Sequence, residues 1–221
     1  VDGEVHSLVT NQEYKRAHAG NMGIVAGAPM GGLVEADPDD RYGLAAALLH
    51  PLKPWFAETG YTGPIQATGI FHDERWHAIE YNIRLGITAT PMILRMLENS
   101  AETLTRTASG VAPEVRFRGD RVFGASLTLA GYGYPFVQLE GPPVPIRVDG
   151  EFTCDVWWNE VASDGDDGLL ATGHRVADVV AFGVELPAAL ALAYENIRKI
   201  RCLGSYFRPD IGESLWPPGN E

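Results

Sequence analysis

Cysteine and long apolar runs are both scarce in this sequence, and each scarcity excludes a class of protein. The only two cysteines, Cys154 and Cys202, lack the Cys-x-x-Cys spacing of a metal site and are too few for a disulfide framework. No apolar run approaches the roughly 20 residues that a membrane helix needs, and no charged leader precedes an apolar stretch. We therefore expect a cytoplasmic protein without a membrane partner.

Positive charge is also sparse. The chain has 17 Lys and Arg residues against 29 Asp and Glu residues, which gives a formal net charge of -12 at pH 7. The basic residues are scattered, so the basic patch of a nucleic-acid binder is missing. Small-molecule chemistry is favoured, and an anionic substrate remains compatible because a local pocket of Arg side chains or amide groups matters more to it than net charge.

The chain is long enough for a proper core. It has 221 residues, of which 45% are apolar and 21% charged, and this predicts one large or two small globular domains. A helical stripe of leucines and aromatics predicts a helix over residues 39–58, which Pro51 and Pro54 would kink. A change of composition around residues 109–113 predicts a domain boundary.

Local patterns predict further elements on both sides of that boundary. Residues 63–71 and 75–83 are expected to be strands of a hairpin, and Thr90 with Pro91 is typical of a helix start, with an end near Ser100. The remaining predictions are a polar turn at 11–16, strands at 122–130 and 176–182, a turn at 131–135, an acidic loop at 163–168, a helix from Pro187 with a stripe of Leu190, Tyr194, Ile197 and Ile200 and a Glu195–Lys199 pair, and a frayed tail at 217–219.

The segment from Glu80 to Arg84 has the residue types of a nucleotide–metal site. Glu80 and Asn82 are two apart, so in a strand both side chains lie on one face. Two oxygen-bearing side chains can hold a hard divalent cation, and Arg84 on the same face could reach phosphates that the cation bridges. The spacing alone is also typical of an ordinary exposed strand face.

Longer stretches of the sequence resemble a known family. Residues 80–86 (EYNIRLG) are similar to the Glu-Phe-Asn-x-Arg-Phe-Gly motif of glycinamide ribonucleotide synthetases, which are ATP-grasp ligases. Other segments resemble family motifs in the same order: 1–8 the strand after the nucleotide hinge, 12–17 (QEYKRA) its Gln-Asp-x-Lys-Arg-Ala, 129–135 (LAGYGYP) its Ala-Ser-Gly-Gly-Tyr-Pro turn, 172–176 (TGHRV) its Gly-Gly-Arg-Val, and 208–212 (RPDIG) its Arg-Arg-Asp-Ile-Gly. Order over nearly the whole chain is more specific than any one motif.

The resemblance implies a fold and a reaction. The fold would be α+β, with the second half of an ATP-grasp domain over residues 1–108 and a small β-rich carboxyl-terminal domain over 109–221. The reaction would be an ADP-forming ligation in purine biosynthesis, in which ATP phosphorylates glycine and phosphoribosylamine attacks the acyl phosphate. The ATP-binding front half, in cis or in trans, would be a necessary partner, because this chain has only three lysines.

The resemblance also implies site residues. Glu80 and Asn82 would ligate Mg²⁺ or Mn²⁺, and Arg84 would neutralise charge on the transferred phosphoryl group. Lys15 and Arg16 become candidates for phosphate contacts, although a solvated turn explains them equally well. The remaining substrate candidates are Gly31, from the Met-Gly step of a Gly-rich loop, and His174 and Arg175.

Three departures leave the substrate open. After Gly86 the family continues Asp-Pro-Glu-Thr-Gln, whereas this chain has residues 87–91 (ITATP) and loses two carboxylates. Its Gly-rich loop lacks the family's Asn-Thr pair, and residues 157–161 (WWNEV) replace Phe-His-Ala-Gly-Thr. A non-catalytic binding module and a ligase with another amine or carboxylate therefore stay open as alternatives.

Three further patterns have ordinary explanations. His72 and His77 flank the predicted hairpin turn and are expected to be exposed turn residues rather than metal ligands. The aspartates of residues 164–167 lack the spacing of a calcium loop, so a solvated loop is expected. Trp157 and Trp158 alternate across a strand, so one of them should face solvent or a partner.

Overall fold

The computed structural model describes residues 1–137, 141–165 and 168–215. Strands and helices are mixed along the chain and strands predominate, so the predicted α+β class is confirmed. The strands are β1 (Val9–Glu13), β2 (Arg16–His18), β3 (Met22–Val25), β4 (Gly31–Ala36), β5 (Gln66–His72), β6 (Arg75–Asn82), β7 (Phe123–Ala130), β8 (Val144–Val148), β9 (Asp155–Trp158), β10 (Val161–Ser163), β11 (Leu169–Ala171), β12 (Arg175–Gly183) and β13 (Ile200–Cys202). The α-helices are α1 (Leu44–Leu48), α2 (Lys53–Thr59), α3 (Ala89–Met96), α4 (Ser100–Ala108) and α5 (Leu186–Ile197).

Contacts between residues divide the chain into two compact units. The first unit contains residues 1–10 and 34–119, and the second contains residues 11–33 and 120–221. Residues 11–33 therefore pack with the carboxyl-terminal part of the chain rather than with their sequence neighbours. The assignment of 1–108 and 109–221 to two family domains stays a prediction.

The core of the second unit lies around two central strands. In the sheet with the order β1-β4-β7-β12-β9, β12 pairs antiparallel with both β7 and β9. Most residues of β7 and β12 are buried, which explains why apolar residues predominate in both segments. The predicted strands at 122–130 and 176–182 are confirmed.

Helix α5 packs on β7 and β12 through small residues. Ala189 and Ala193 have no exposed surface, and Pro187 lies in the first turn, where its missing amide costs no hydrogen bond. The predicted helix is confirmed, and so is the ion pair between Glu195 Oε1 and Lys199 Nζ at 3.2 Å. The predicted apolar stripe is wrong at Ile200, which belongs to β13.

A smaller sheet in the second unit has the order β10-β11-β8-β13. Val144 and Ile146 of β8 pack against the core. On β9, Trp157 is 42% exposed, whereas Trp158 packs against the core. The prediction that one of these tryptophans faces solvent is confirmed.

The predicted helix over 39–58 is broken in the first unit. Helix α1 is followed by a 3₁₀ turn at His50–Leu52 and then by α2. The break falls at Pro51 and Pro54, because a proline inside a helix removes an amide donor and clashes with the preceding turn.

The start of the next helix differs from the prediction. Helix α3 begins at Ala89 after Thr88, and Thr90 Oγ1 donates to the Gly86 carbonyl at 2.6 Å instead of capping the helix. Pro91 is tolerated because the first-turn amides have no partner within a helix. The chain then forms α4, which the sequence did not predict.

Among the described residues, no helix is long and apolar enough to cross a membrane. Asp166, Asp167 and the tail at 217–219, for which a loop and fraying were predicted, lie outside the described residues.

Candidate active site

The β5–β6 hairpin in the first unit carries Glu80 and Asn82. Glu80 pairs with Thr68 and Asn82 pairs with Gln66, whereas Ala78 pairs with Gly69. One step along β5 therefore corresponds to two steps along β6, which is a β-bulge. Beyond the bulge, Glu80 and Asn82 share one face with Thr68 and Gln66.

The opposite face of the hairpin packs on α1 and the residues just before it. Tyr81 donates its hydroxyl proton to the Leu48 carbonyl at 3.0 Å, and Trp76 Nε1 donates to the Tyr42 carbonyl at 3.2 Å. Because side chains alternate in a strand, this packing turns Glu80 and Asn82 away from α1.

The exposed face therefore presents oxygen-bearing side chains from two neighbouring strands. Glu80 is exposed and Asn82 is half-buried, and their cross-strand neighbours Thr68 and Gln66 have hydroxyl and amide oxygens. The Thr68 Oγ1 atom is buried and has no hydrogen-bond partner among the described residues. Carboxylate, amide and hydroxyl oxygens are the donors that a hard divalent cation takes, so these residues fit Mg²⁺.

Histidines and cysteines do not contribute to such a site. Within the described part of the chain, no three His, Cys, Asp or Glu residues cluster as metal ligands. His77 Nε2 lies 3.2 Å from the His72 carbonyl oxygen. His72 ends β5 beside the turn and is exposed, as expected, whereas His77 lies within β6 and is half-buried, so the prediction of an exposed turn residue is wrong for His77.

Arg84 follows the hairpin but is not on its face. Strand β6 ends at Asn82, and Arg84 lies in the bend beyond it, so the alternation that would put it beside Glu80 and Asn82 does not extend that far. Its Nη1 atom donates to the Leu85 carbonyl at 3.1 Å. The guanidinium is exposed, and its phosphoryl-neutralising role stays a prediction.

The segment after the hairpin carries no acidic side chain before α3. Thr88 and Ala89 are buried and Ile87 is 54% exposed. A Cβ on Gly86 would lie 2.6 Å from Gln66 Oε1, so this segment passes close to the Gln66 side chain of the hairpin. The departure from Asp-Pro-Glu therefore leaves an apolar surface at Ile87.

Two segments that resemble family motifs and one that departs from a motif meet in the second unit. They are the turn at 131–135, the start of β12 at 172–176 and the β9–β10 turn at 159–160. The Gly131 amide donates to the His174 carbonyl at 2.8 Å, and a Cβ on Gly131 would lie 3.2 Å from the Gly173 oxygen. These segments, which are separate in the sequence, therefore lie next to one another in the folded chain.

Arg175 is the charged centre of this cluster. Its Nη2 donates to Asp178 Oδ1 and to Thr128 Oγ1, each at 3.0 Å, and its Nη1 donates to the Pro29 carbonyl at 3.0 Å. Asp178 is only 4% exposed and also accepts from Asn159 Nδ2 at 2.9 Å. The guanidinium therefore neutralises a buried carboxylate, and a substrate contact for Arg175 stays a prediction.

Glu160 holds the main chain beside Arg175. Its Oε2 atom accepts from the amides of His174 at 2.5 Å and Arg175 at 2.7 Å. Sequence reasoning noted Glu160 only as a departure from a small residue. The substrate role predicted for His174 stays a prediction.

The other predicted contacts lie elsewhere in the second unit. Lys15 Nζ lies 3.3 Å from Glu13 Oε2, and Arg16 Nη1 donates to the Gly23 carbonyl at 2.8 Å. The predicted polar turn at 11–16 is wrong, since β1 runs to Glu13 and β2 begins at Arg16. The phosphate contacts predicted for Lys15 and Arg16 stay predictions.

Gly31 lies in β4 and is buried. A Cβ there would lie 2.9 Å from the Ser126 carbonyl oxygen and 3.1 Å from the Ile211 side chain. Close packing against β7 therefore accounts for this glycine, and its substrate role stays a prediction.

Sequence reasoning missed Arg208, which has no exposed side-chain surface. Its Nη2 and Nε donate to the two carboxylate oxygens of Asp210 at 2.7 and 2.9 Å, and its Nη1 donates to the Arg16 carbonyl at 3.0 Å. The hydrogen bonds from Arg208 lower the pKa of Asp210. Only the resemblance of residues 208–212 to a family motif pointed to this pair.

Comparison with known proteins agrees with the motif order and the fold. Residues 125–214 match the phosphoribosylglycinamide synthetase C domain. The predicted resemblance to glycinamide ribonucleotide synthetases is thereby confirmed for the carboxyl-terminal part of the chain. This match lies within the second unit, which contains the cluster around Arg175.

Full-length relatives extend the resemblance to the hairpin. The phosphoribosylamine–glycine ligase of Corynebacterium ammoniagenes is 28% identical over 228 residues, which cover 97% of this chain and 51% of that protein. The enzyme of the same name from Pseudomonas aeruginosa is 29% identical over 225 residues, with coverages of 96% and 51%. The chain thus spans about half the length of the curated relatives that it matches.

Solved structures show the same relation. The crystal structure of phosphoribosylamine–glycine ligase from Thermotoga maritima superposes with a TM-score of 0.74 at 27% identity and covers 92% of this chain and 51% of that one. The biotin carboxylase domain of a thermophilic 2-oxoglutarate carboxylase gives a TM-score of 0.60 at 16% identity over 92% of this chain and 45% of that chain. The similarity to the biotin carboxylase domain concerns the fold alone. Both similarities agree with the predicted partial ATP-grasp fold.

Proposed function

We propose that this chain is the carboxyl-terminal part of an ADP-forming ligase that joins glycine to phosphoribosylamine in purine biosynthesis, in the cytoplasm. The γ-phosphoryl group of ATP would pass to the glycine carboxylate, giving ADP and an acyl phosphate. The amine would then attack the acyl carbon and release inorganic phosphate. The names of the relatives support this reaction, and the motif order supports its assignment to this chain.

The observation that carries the proposal is the shared face of Glu80 and Asn82. Both project from one side of β6, away from the packing on α1. These two residues would hold Mg²⁺ or Mn²⁺, which would supply charge neutralisation at the phosphates of ATP. Glu80 and Asn82 would provide the metal-binding oxygen atoms without rearrangement of the strand, because the bulge and the hairpin pairing set the positions of both residues.

The remaining candidate residues would bind and orient substrates. Arg84 is exposed just beyond the metal donors and would neutralise charge on the phosphoryl group in transfer. Lys15 and Arg16 would contact phosphate, and the cluster of His174 and Arg175 would position the substrates. No side-chain nucleophile is needed, since the acyl phosphate itself is the activated species.

The test measures ADP release by the chain joined to its upstream half. With glycine and phosphoribosylamine present, Glu80→Gln is expected to lower the turnover about 100-fold, because one anionic donor of the metal is lost. Glu74→Gln is the matched control, because Glu74 lies in the turn of the same hairpin and its replacement removes the same charge. Equal turnover in the two variants would remove Glu80 from the mechanism.

Two alternatives are supported by specific observations. A ligase for another amine or carboxylate is favoured by Glu160, which fills space beside Arg175 where the family segment has a small residue. ADP release only with a substrate other than these two would support it. A non-catalytic binding module is favoured by the apolar surface at Ile87. Absence of ADP with every amine tested, in a folded protein, would support the module.

A further inference from the structure

The carboxylate of Glu160 lies where two consecutive backbone amides converge. Oε2 of Glu160 accepts from the His174 amide at 2.5 Å and from the Arg175 amide at 2.7 Å. In an extended strand consecutive amides point in opposite directions, so the turn before β12 is what brings these two together. Consecutive amides that face one point form a recognised kind of anion site.

The surrounding backbone is shaped around the carboxylate. A Cβ on Gly173 would lie 2.4 Å from both Glu160 Cδ and Oε2, so only glycine leaves room for the anion. The Thr172 amide donates to the Glu160 carbonyl at 2.8 Å, and the Glu160 amide donates to the Arg175 carbonyl at 3.0 Å. The main chain of Glu160 is therefore hydrogen-bonded to the same segment, residues 172–175, whose amides donate to the Glu160 side chain.

The site is open to solvent and belongs to the cluster around Arg175. Glu160 is an exposed residue, while His174 and Arg175 are half-buried.

We propose that the amides of His174 and Arg175 form a binding site for a phosphoryl oxyanion, and that Glu160 excludes such groups by occupying it. A phosphoryl oxygen accepts from backbone amides as a carboxylate oxygen does. The Glu160 carboxylate competes with phosphate for the two amides. Because it belongs to the same chain, its effective concentration at the amides is high and does not depend on the protein concentration. The inference goes beyond the ligase proposal and holds or fails independently of it.

The test follows the amide resonances of His174 and Arg175 while inorganic phosphate is added to the 221-residue chain. The protein with Glu160 is expected to show no saturable shift at either amide, whereas Glu160→Ala should show saturable shifts at both. Glu195→Ala is the matched control, because it removes the same charge from an exposed residue whose carboxylate pairs with Lys199. This control should behave like the unmodified protein.

Three results would overturn the proposal. They are the absence of saturable shifts in Glu160→Ala, saturable shifts of equal affinity in the unmodified protein, and the same response in Glu195→Ala. Any of these would show that the amides do not bind phosphate or that Glu160 does not control access.

Hydrogen exchange provides a second measurement without added phosphate. Loss of the charged acceptor should speed exchange of the His174 and Arg175 amides about tenfold in Glu160→Ala, and phosphate should restore the protection. If Glu160→Ala loses the dispersed spectrum of a folded protein, Glu160→Gln replaces it, since a neutral side chain of the same size still fills the turn. Faster exchange at both amides in that variant supports the proposal, and unchanged exchange overturns it.

Discussion

Arg208 illustrates how one buried charge organises its surroundings. Its guanidinium has no exposed surface and lies 5.2 Å from the centre of the Tyr14 ring. Besides Asp210, it binds the Arg16 carbonyl and, at 3.2 Å, Asn21 Oδ1. Asp210 in turn accepts from the Gly20 amide at 2.9 Å. The pair therefore fixes the main chain that carries Arg16, one of the predicted phosphate contacts.

Replacing Asp210 by Asn should lower the free energy of unfolding by about 3 kcal/mol at pH 7, because it leaves a buried guanidinium without its counter-charge. Urea unfolding measures this loss. Glu195→Gln, in an exposed pair, should change stability by no more than about 0.5 kcal/mol.

The effect of Asp210→Asn should also depend on pH. The folded-state pKa of Asp210 is lowered, so its stabilising contribution is present above the unfolded pKa of about 3.9 and is lost as the pH falls through the lower folded value. The difference in the free energy of unfolding between the unmodified protein and Asp210→Asn should therefore become smaller below about pH 4. A difference of the same size at pH 7 and well below pH 4 would contradict this account.

The bulge in β6 is the feature at the element scale on which the candidate metal site depends. Without it, Glu80 would continue the alternation of Trp76 and Ala78 and face the same side as they do. With it, Tyr81 takes the side that packs on α1, and its hydroxyl reaches the Leu48 carbonyl. Bulges occur often beside active sites because they redirect side chains in this way.

The close packing of Gly31 in β4 against β7 leads to a separate prediction. Gly31→Ala should lower the free energy of unfolding by roughly 1–3 kcal/mol, because its Cβ would press on the Ser126 carbonyl of β7, which cannot move alone. Gly27→Ala is the control in the same Gly-rich segment, since nothing lies within 4 Å of a Cβ there. Similar stabilities of the two variants in urea would mean that β4 and β7 are not packed as closely as described.

At the scale of the whole molecule, the chain spans only about half of its relatives, at 51% of the Corynebacterium ammoniagenes ligase. We expect the chain alone to bind Mg-ATP weakly, because the proposed ligase also needs the ATP-binding front half to hold the nucleotide. Isothermal titration should give little heat with the chain alone and a clear binding curve when the upstream half is joined to it. Equal binding by both proteins would show that this chain has a complete nucleotide site of its own.

The sequence was sufficient for elements whose signals are local. The hairpin was predictable because its strand patterns flank a polar turn at 72–74, and β7 and β12 were predictable because most of their residues are apolar, as in strands buried on both faces. Motif order was sufficient for the family resemblance. The start of α3 was predicted wrongly because the Thr90 hydroxyl bonds back to Gly86 instead of capping the helix.

Contacts between distant parts of the chain were decided by the tertiary structure alone. Gly31 was expected in a ligand-binding loop, yet it is glycine because Ser126, remote in sequence, leaves no room for a Cβ. Glu160 looked like a departure from a motif until its carboxylate was found on the amides of His174 and Arg175. The physical reason is the same in both cases: a sequence specifies which donors, acceptors and volumes are available, whereas only the folded backbone determines which of them meet.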